Sequence, residues 1–236
     1  MTACDDDENN MATDSIPQRD NQVLSVFDFD GTLTIHDSFI PFLRFSFGKR
    51  VFARKLAKLA LPALRHMRKK LTRDELKEVL IHTFLTGVDE KWLRDQAQLF
   101  CAAKWHKLMR PSGLLAVAAE VNSQAEVTIC SASPALVLEP FAERLGIKLI
   151  GTQLEVVDGM LTGKITGHNC RCAQKVQRLE AVYGSLHQYH LRAWGDTRGD
   201  FELLAAAQDP HWRHFHPGWK KRRVPLDKLR MMRLDP

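Results

Sequence analysis

Two carboxylates stand two residues apart in Val26-Phe27-Asp28-Phe29-Asp30-Gly31-Thr32-Leu33-Thr34, at the end of a short apolar run. If that run is a strand of an open α/β sheet, both acids are delivered to the crevice beyond its carboxyl end, where ligands bind. A calcium loop is the competing use of Asp-x-Asp-Gly, but it needs a further oxygen ligand, a glycine at position six and a glutamate at position twelve. Thr32, Leu33 and Phe39 occupy those places, so the calcium reading fails. Further on, Val127–Cys130 runs into Ser131-Ala132-Ser133. His190–Trp194 runs into Gly195-Asp196-Thr197-Arg198-Gly199-Asp200, which again sets two acids just past an apolar run. Between them Lys175 opens a helical pattern. Each has an ordinary use as a turn residue, a helix cap or a solvated charge. A catalytic site assembled at strand ends requires all four groups in this order.

The elements that must position these groups follow from periodicity. Val23–Phe27 reads as a buried strand. From Asp37 to Met109 the pattern is helical throughout, with no strand. Phe52, Leu56, Leu59, Ala63 and Met67 recur at three- and four-residue spacing, while Arg50, Arg54, Lys58, Arg65 and Arg68 fall opposite, and Pro62 predicts a kink. Thr72-Arg73-Asp74-Glu75 is a capping box for a helix from Asp74 to Leu85, and another helix is predicted from Asp89 to Lys107.

After Pro111 helices alternate with short apolar strands. Leu114–Val121 is predicted helical, Val127–Cys130 a strand, and Ala135–Leu145 a helix closed by Gly146. Leu149–Val157 and Met160–Ile165 flank Asp158-Gly159 as a hairpin. Cys172–Tyr183 is a helix ended by Gly184, His190–Trp194 a strand and Phe201–Ala207 a helix. The fold class is therefore α/β, a Rossmann-like parallel sheet core with an inserted α-helical cap. In such sheets ligands bind beyond the carboxyl ends of the strands, where these acids lie. The domain plan is a disordered acidic tail at 1–22, a core at 23–36 and 110–218, a helical cap at 37–109 and a basic tail at 219–236.

A length of 236 residues fits one or two domains at roughly 100–200 residues each. The formal charge of +6 is unevenly spread. Residues 1–22 carry −5, residues 44–73 carry +11 without one acid, and residues 217–236 carry +5, which leaves −5 on the rest. The longest apolar runs, such as Leu59–Leu64, are six residues, far short of the ~18 that span a bilayer. Asp5-Asp6-Asp7-Glu8 stands where a signal peptide carries positive charge. With five cysteines, an odd count that argues for reduced thiols, the expected compartment is the cytoplasm. Cys170 and Cys172 form the one close pair, and no second pair stands at zinc-finger spacing. Cys101 and Cys130 read as small buried hydrophobes.

The four motifs resemble those of the haloacid dehalogenase superfamily of phosphotransferases: Asp28-Phe-Asp30-Gly-Thr32, Ser131 after a strand, Lys175, and Gly195-Asp196-Thr-Arg-Gly-Asp200. The resemblance spans about Val23 to Pro217. The insertion after the first motif, Gly167-x-Asn169-Cys170 and the preceding hairpin are similar to the phosphoserine-phosphatase-like branch, which also contains phosphatidylglycerophosphatase C-like proteins. Cys172 departs from it, since relatives usually have Gly there. The resemblance implies a Mg²⁺-dependent phosphomonoesterase. Asp28 would be the nucleophile that forms an aspartyl-phosphate, and Asp30 the acid and then the base. Thr32, Ser131, Ala132 and Lys175 would hold phosphate. Mg²⁺ would be held by Asp28, the Asp30 backbone carbonyl and Asp196, with Asp200 in support.

Asp37 stands where phosphoserine phosphatases place a glutamate that grips the substrate amino group, which favours a small phosphoserine-like metabolite; it serves equally as a local helix cap. Those enzymes also hold a carboxylate with a cap arginine, and the helix Asp74–Leu85 offers only Lys77. The basic segment 44–73 has three readings: a solvated helix face, steering of phosphate substrates, or peripheral contact with an anionic membrane. The last would suit a lipid phosphate substrate at the inner face of a membrane. A non-catalytic regulatory protein on the same fold is the remaining alternative. Nucleic acid is disfavoured, since no recognition motif accompanies Lys220-Lys221-Arg222-Arg223. His211, His214 and His216 suggest a metal cluster, but an edge strand containing Trp212 and Phe215 with exposed histidines is the favoured reading.

Overall fold

The computed structural model describes residues 22–65 and 73–217, the side chains of 58, 60–65 and 73 excepted. The predicted features of 1–21, 66–72 and 218–236 lie outside the described residues, including Thr72 of the capping box and much of the basic segment. In chain order the elements are β1 (Gln22–Phe27), α1 (Phe39–Arg65), α2 (Arg73–Leu85), β2 (Val88–Asp89), α3 (Glu90–Leu108), α4 (Pro111–Asn122), β3 (Glu126–Pro134) and α5 (Ala135–Leu145). There follow β4 (Lys148–Thr152), β5 (Leu154–Val157), β6 (Met160–Ile165), α6 (Ala173–Tyr183), β7 (Tyr189–Gly195), α7 (Phe201–Ala206) and β8 (Asp209–Trp212).

β1 is central because both its faces are apolar. Side chains alternate across a strand, so Leu24 and Val26 join one core cluster with Leu179, Leu191 and Leu203, while Phe27 joins the other with Ile129, Leu136 and Phe141. Phe27 also stacks on Trp194 at 4.1 Å. Burying such a ring stabilises the fold by about 1.5–3 kcal/mol. The resulting sheet has the order β4-β3-β1-β7-β8 and every pairing in it is parallel. The expected α/β core is therefore present, and the ends of β1, β3 and β7 share one edge.

Three local expectations are corrected. The run Leu149–Val157 does not form one strand: β4 closes the edge of the parallel sheet, and β5 pairs with β6 as the Asp158-Gly159 hairpin. That hairpin pairs with Val88 and Asp89, so the insertion does contain a short strand, and a second sheet runs β2-β6-β5. Periodicity misses a two-residue strand whose partner lies far along the chain. The break in α1 falls at Gly48 (φ 73°, ψ 157°), and the helix continues through Pro62. Glycine reaches the left-handed region at little steric cost, so the chain bends there.

The cap packs on the core through Phe42, Leu43, Ile81, Phe84, Leu93 and Phe100, all buried. Of the predicted α1 stripe, Phe52 packs on Phe84 at 5.3 Å, whereas Leu56 is exposed. Lys55 is not a solvated charge: its Nζ donates to the carbonyls of Thr83 (3.0 Å) and Phe84 (3.2 Å) and closes the end of α2. Among the described residues, no helix is long and apolar enough to cross a membrane.

Candidate active site

The end of β1 delivers Asp28, whose N–H donates to the Trp194 carbonyl at 2.9 Å as the last rung towards β7. Its side chain is buried, with Lys175 Nζ 2.6 Å from Oδ1. The same ammonium lies 2.6 Å from Asp200 Oδ1. Burial works against the Lys175 charge, but the carboxylates of Asp200 and Asp28 outweigh it and hold its pKa well above the ordinary lysine value. Asp200 has both oxygens committed, because Oδ2 accepts from the N–H groups of Asp196 (3.2 Å) and Thr197 (2.9 Å) and from the Thr197 hydroxyl (3.0 Å). It thus braces the loop after β7 and positions the lysine.

Past Asp28 the chain turns sharply over Phe29–Leu33, with Gly31 at φ 81°. A Cβ on Gly31 would fall 2.5 Å from Asp196 Oδ2, so this turn needs glycine for its conformation and for the close approach. The turn places Asp30 where its Oδ1 accepts from the Ser38 N–H at 2.7 Å and its Oδ2 from the Ser133 hydroxyl. Burial, and then the charge of Asp37, raise the Asp30 pKa above the usual carboxylate range. Burial and the charge of Asp200 push Asp28 well above that range, with Lys175 opposing. Asp196 is pushed up to about 6, first by burial and then by Asp200.

Asp28, Asp30, Asp37, Ser131, Ala132, Lys175, Asp196 and Asp200 all line one cavity of about 480 Å³ between core and cap. Ser131 accepts from the Ser133 N–H at 3.2 Å, which shapes the turn at the end of β3. Thr32 is the exception among the expected phosphate ligands. It is absent from the cavity wall, and its buried hydroxyl lies 3.5 Å from Asp196 Oδ1. The tight turn rotates it away from the opening, and it supports Asp196 instead. Asp37 lines the cavity and also caps α1, accepting from the Phe39 N–H at 3.0 Å.

The cap closes on this site through few polar contacts. Lys77 Nζ donates to the Ala132 carbonyl at 2.9 Å, and burial lowers its pKa. Asp74 accepts from Asn169 Nδ2 (2.6 Å) and pairs with Arg171 (2.9 Å). Apolar side chains fill much of this wall: Ile35, just before the cap, and Ile40 and Leu76 from the cap line the cavity and remain 41%, 45% and 45% exposed.

Sequence reasoning did not assign Ser133, Arg110, Arg171 or Arg213 to the site, and it named His216 only with the suggested histidine cluster, favouring an exposed position. Ser133, two residues past Ser131, carried a signal in its spacing; the others did not. The histidines near β8 are half-buried, not exposed: His211 stacks on Trp194 at 4.4 Å, and His216 lines the cavity. The strand ends at Trp212, before Phe215. Among the described residues the grouping able to hold a metal ion is Asp28, Asp196 and Asp200, without a histidine. Cys101 and Cys130 are buried as expected.

A family model described as haloacid dehalogenase-like hydrolase matches residues 25–205. The chain belongs to the haloacid dehalogenase-like hydrolases. It is 37% identical over 195 residues to Protein CicA of Caulobacter vibrioides, a match that covers 82% of this chain and 86% of that protein. Among solved structures it is similar to a protein of unknown function from Bordetella pertussis Tohama I, with a TM-score of 0.70, 22% identity and coverage of 89% and 96% of the two chains. It also shares its fold with a phospho-aspartyl intermediate analogue of phosphoserine phosphatase, with a TM-score of 0.53, 18% identity and coverage of 79% and 84%. The position expected to depart from the family pattern is Cys172. It sits just before α6, which delivers Lys175, at φ 56°, a conformation that favours glycine.

The residues present fit a hard divalent cation. Oxygens of Asp28, Asp196 and Asp200 lie within 4.8 Å of one another, and hard ions such as Mg²⁺ take oxygen ligands. Asp200, with both oxygens already committed, suits the outer sphere. Burial first, and then the charge of Asp200, raise the pKa values of Asp28 and Asp196, and a bound cation would favour their charged forms.

Proposed function

We propose that the protein is a Mg²⁺-dependent phosphomonoesterase working through an aspartyl-phosphate on Asp28. The observation that carries this reading is the pair of acids on one tight turn with opposite surroundings: buried Asp28 against the Lys175 ammonium, half-buried Asp30 against neutral hydroxyl and N–H donors. Burial raises the pKa of both acids, but Lys175 and a bound cation would favour the anion at Asp28, whereas the oxygens of Asp30 meet only neutral donors, and this difference in partners supports the two roles. Asp28, kept anionic by Lys175 and a cation, attacks phosphorus while the ester P–O bond breaks. Asp30, whose proton is favoured by burial, passes it to the departing alkoxide. A water then loses a proton to Asp30, attacks the phospho-aspartate and releases inorganic phosphate, which regenerates both acids. Ser131 and the turn at Ala132 would hold phosphoryl oxygens, with Lys175 offsetting their charge. Asp28, Asp196 and the Asp30 carbonyl would hold Mg²⁺, which supplies charge neutralisation when bound.

The leaving group lies against the cap. Lys77 and Asp37 beside the acids suit a small polar phosphate ester such as a phosphorylated metabolite. A second reading, a phosphate ester on an apolar anchor such as a lipid, is favoured by the exposed Ile35, Ile40 and Leu76 at the cavity wall. The intact acid set argues against a purely regulatory role. Purified protein is expected to hydrolyse an aryl phosphate with Mg²⁺, and Asp28→Asn to abolish that turnover; residual activity near the wild-type rate sinks the nucleophile assignment. A panel of soluble and lipid phosphate monoesters, with anionic vesicles included, separates the two substrate readings.

A further inference from the structure

Residues 213–217, just beyond β8, lie outside the family-matched residues 25–205, yet they fold back over the acids. The return begins at Arg213, held at φ 51°, a left-handed conformation that a non-glycine residue adopts only where its surroundings hold it. Its N–H donates to the Gly195 carbonyl at 2.8 Å, and its Nε to the Asp196 carbonyl at 2.9 Å. Three residues later His216 Nε2 stands 2.9 Å from the Gly31 carbonyl oxygen and 3.6 Å from Asp196 Oδ2. A carbonyl only accepts, so Nε2 carries the hydrogen, and the tautomer is set by that bond. Arg110 ties the same pieces together from behind, donating to the carbonyls of Gly31 (3.2 Å), Thr32 (3.2 Å), Thr34 (3.1 Å) and Phe215 (3.3 Å).

Asp196 is therefore enclosed by the bare Cα of Gly31, the Thr32 hydroxyl and the His216 imidazole. Two of these belong to the turn that also sets Asp28 and Asp30. We infer that Arg213–Pro217 completes the site, with His216 a positioning residue that fixes the Asp196 carboxylate against the Gly31 turn. The imidazole N–H, clamped on the Gly31 carbonyl, keeps the turn from opening away from Asp196 and presents its positive edge to Oδ2. The distance between the two acids that would hold Mg²⁺ then depends on a residue supplied from outside the family-matched segment.

The inference rests on reading Asp28 and Asp196 as Mg²⁺-holding carboxylates. Its test compares the full-length wild type, His216→Ala and His216→Gln. Mg²⁺ alone is titrated by tryptophan fluorescence, to which Trp194, two residues before Asp196, contributes, and the Mg²⁺ dependence of aryl phosphate hydrolysis is measured in parallel. Removing an outer-sphere partner typically costs ~10–100-fold in metal affinity or activity. His216→Ala is expected to raise the half-saturating Mg²⁺ concentration by about tenfold with its thermal midpoint little changed, and His216→Gln, which restores an N–H, to recover most of that loss. Unchanged Mg²⁺ affinity in His216→Ala, or a glutamine variant as impaired as the alanine one, overturns the inference while leaving the phosphatase reading intact. A wild type that neither binds Mg²⁺ nor cleaves the ester overturns both.

Discussion

On the core wall of the cavity Asp28, Lys175 and Asp200 are almost fully buried and hold one another at 2.6 Å. On the cap wall Ile40 and Leu76, with Ile35 beside them, are 41–45% exposed, and the side chains that reach the core at the cavity include Lys77 on Ala132 and Asp74 on Asn169 and Arg171. Buried charges must be paired and fully hydrogen-bonded, since removing one partner of such a pair costs about 3–5 kcal/mol. The core wall has one workable arrangement for this reason. Exposed apolar side chains and a part-exposed ion pair worth roughly 0–1 kcal/mol carry no such constraint. On the proposed phosphomonoesterase reading, chemistry falls where the structure tolerates little change, and selection of the leaving group where it tolerates much.

The contrast is broken most directly on the core wall. Asp30→Asn is expected to slow hydrolysis of an alkyl phosphate by about 10²–10⁴-fold, the usual contribution of general acid–base catalysis. Cleavage of an aryl phosphate, whose leaving group needs little protonation, should fall less in a pre-steady-state burst measurement. Equal losses for both esters would remove Asp30 from the acid role.

A smaller effect tests the charge balance at Asp196. Its pKa rises from an ordinary 3.8 to about 6 in the fold, so the folded chain holds this proton more tightly than the unfolded chain. The contribution to stability is present below pH 3.8 and is lost as pH rises through about 6. Metal-free Asp196→Asn should therefore be more stable than wild type by about 2 kcal/mol at pH 8. The gap should close on acidification through about 6 towards 3.8, and shrink or reverse on adding Mg²⁺. Denaturant unfolding at several pH values measures it, and a gap independent of pH would mean that the charge on Asp196 is not its source.

The mildest change is expected on the cap wall. Ile40→Ser with Leu76→Ser should leave kcat for a small aryl phosphate within about twofold, and raise KM several-fold only for esters with an apolar leaving group. A uniform fall in kcat for all esters would show that the cap wall also serves the chemistry.

Asp28, Asp30, Ser131, Lys175, Asp196 and Asp200 were legible in the sequence because each sits at a strand end or a helix start, and periodicity locates those ends. Lys77 was visible as a cap lysine, but its contact with Ala132 was not, because the two residues meet only when the insertion folds onto the core. Gly48 in place of Pro62 as the break in α1, and the division of Leu149–Val157 between two sheets, depended on packing partners far along the chain. The same holds for His216, Arg213 and Arg110, whose hydrogen-bond acceptors are backbone carbonyls of distant turns that no side-chain pattern encodes.

The sequence by itself determined the parallel α/β core, the helical insertion and the acids gathered at one sheet edge, since local periodicity and strand-end placement depend on neighbouring residues. Tertiary structure alone decided that Thr32 turns from the cavity to Asp196, that both Asp200 oxygens are committed to bracing, and that the chain after β8 returns over the site. Those outcomes follow from which buried polar atoms can satisfy one another across the sheet, a three-dimensional condition that spacing along the chain does not express.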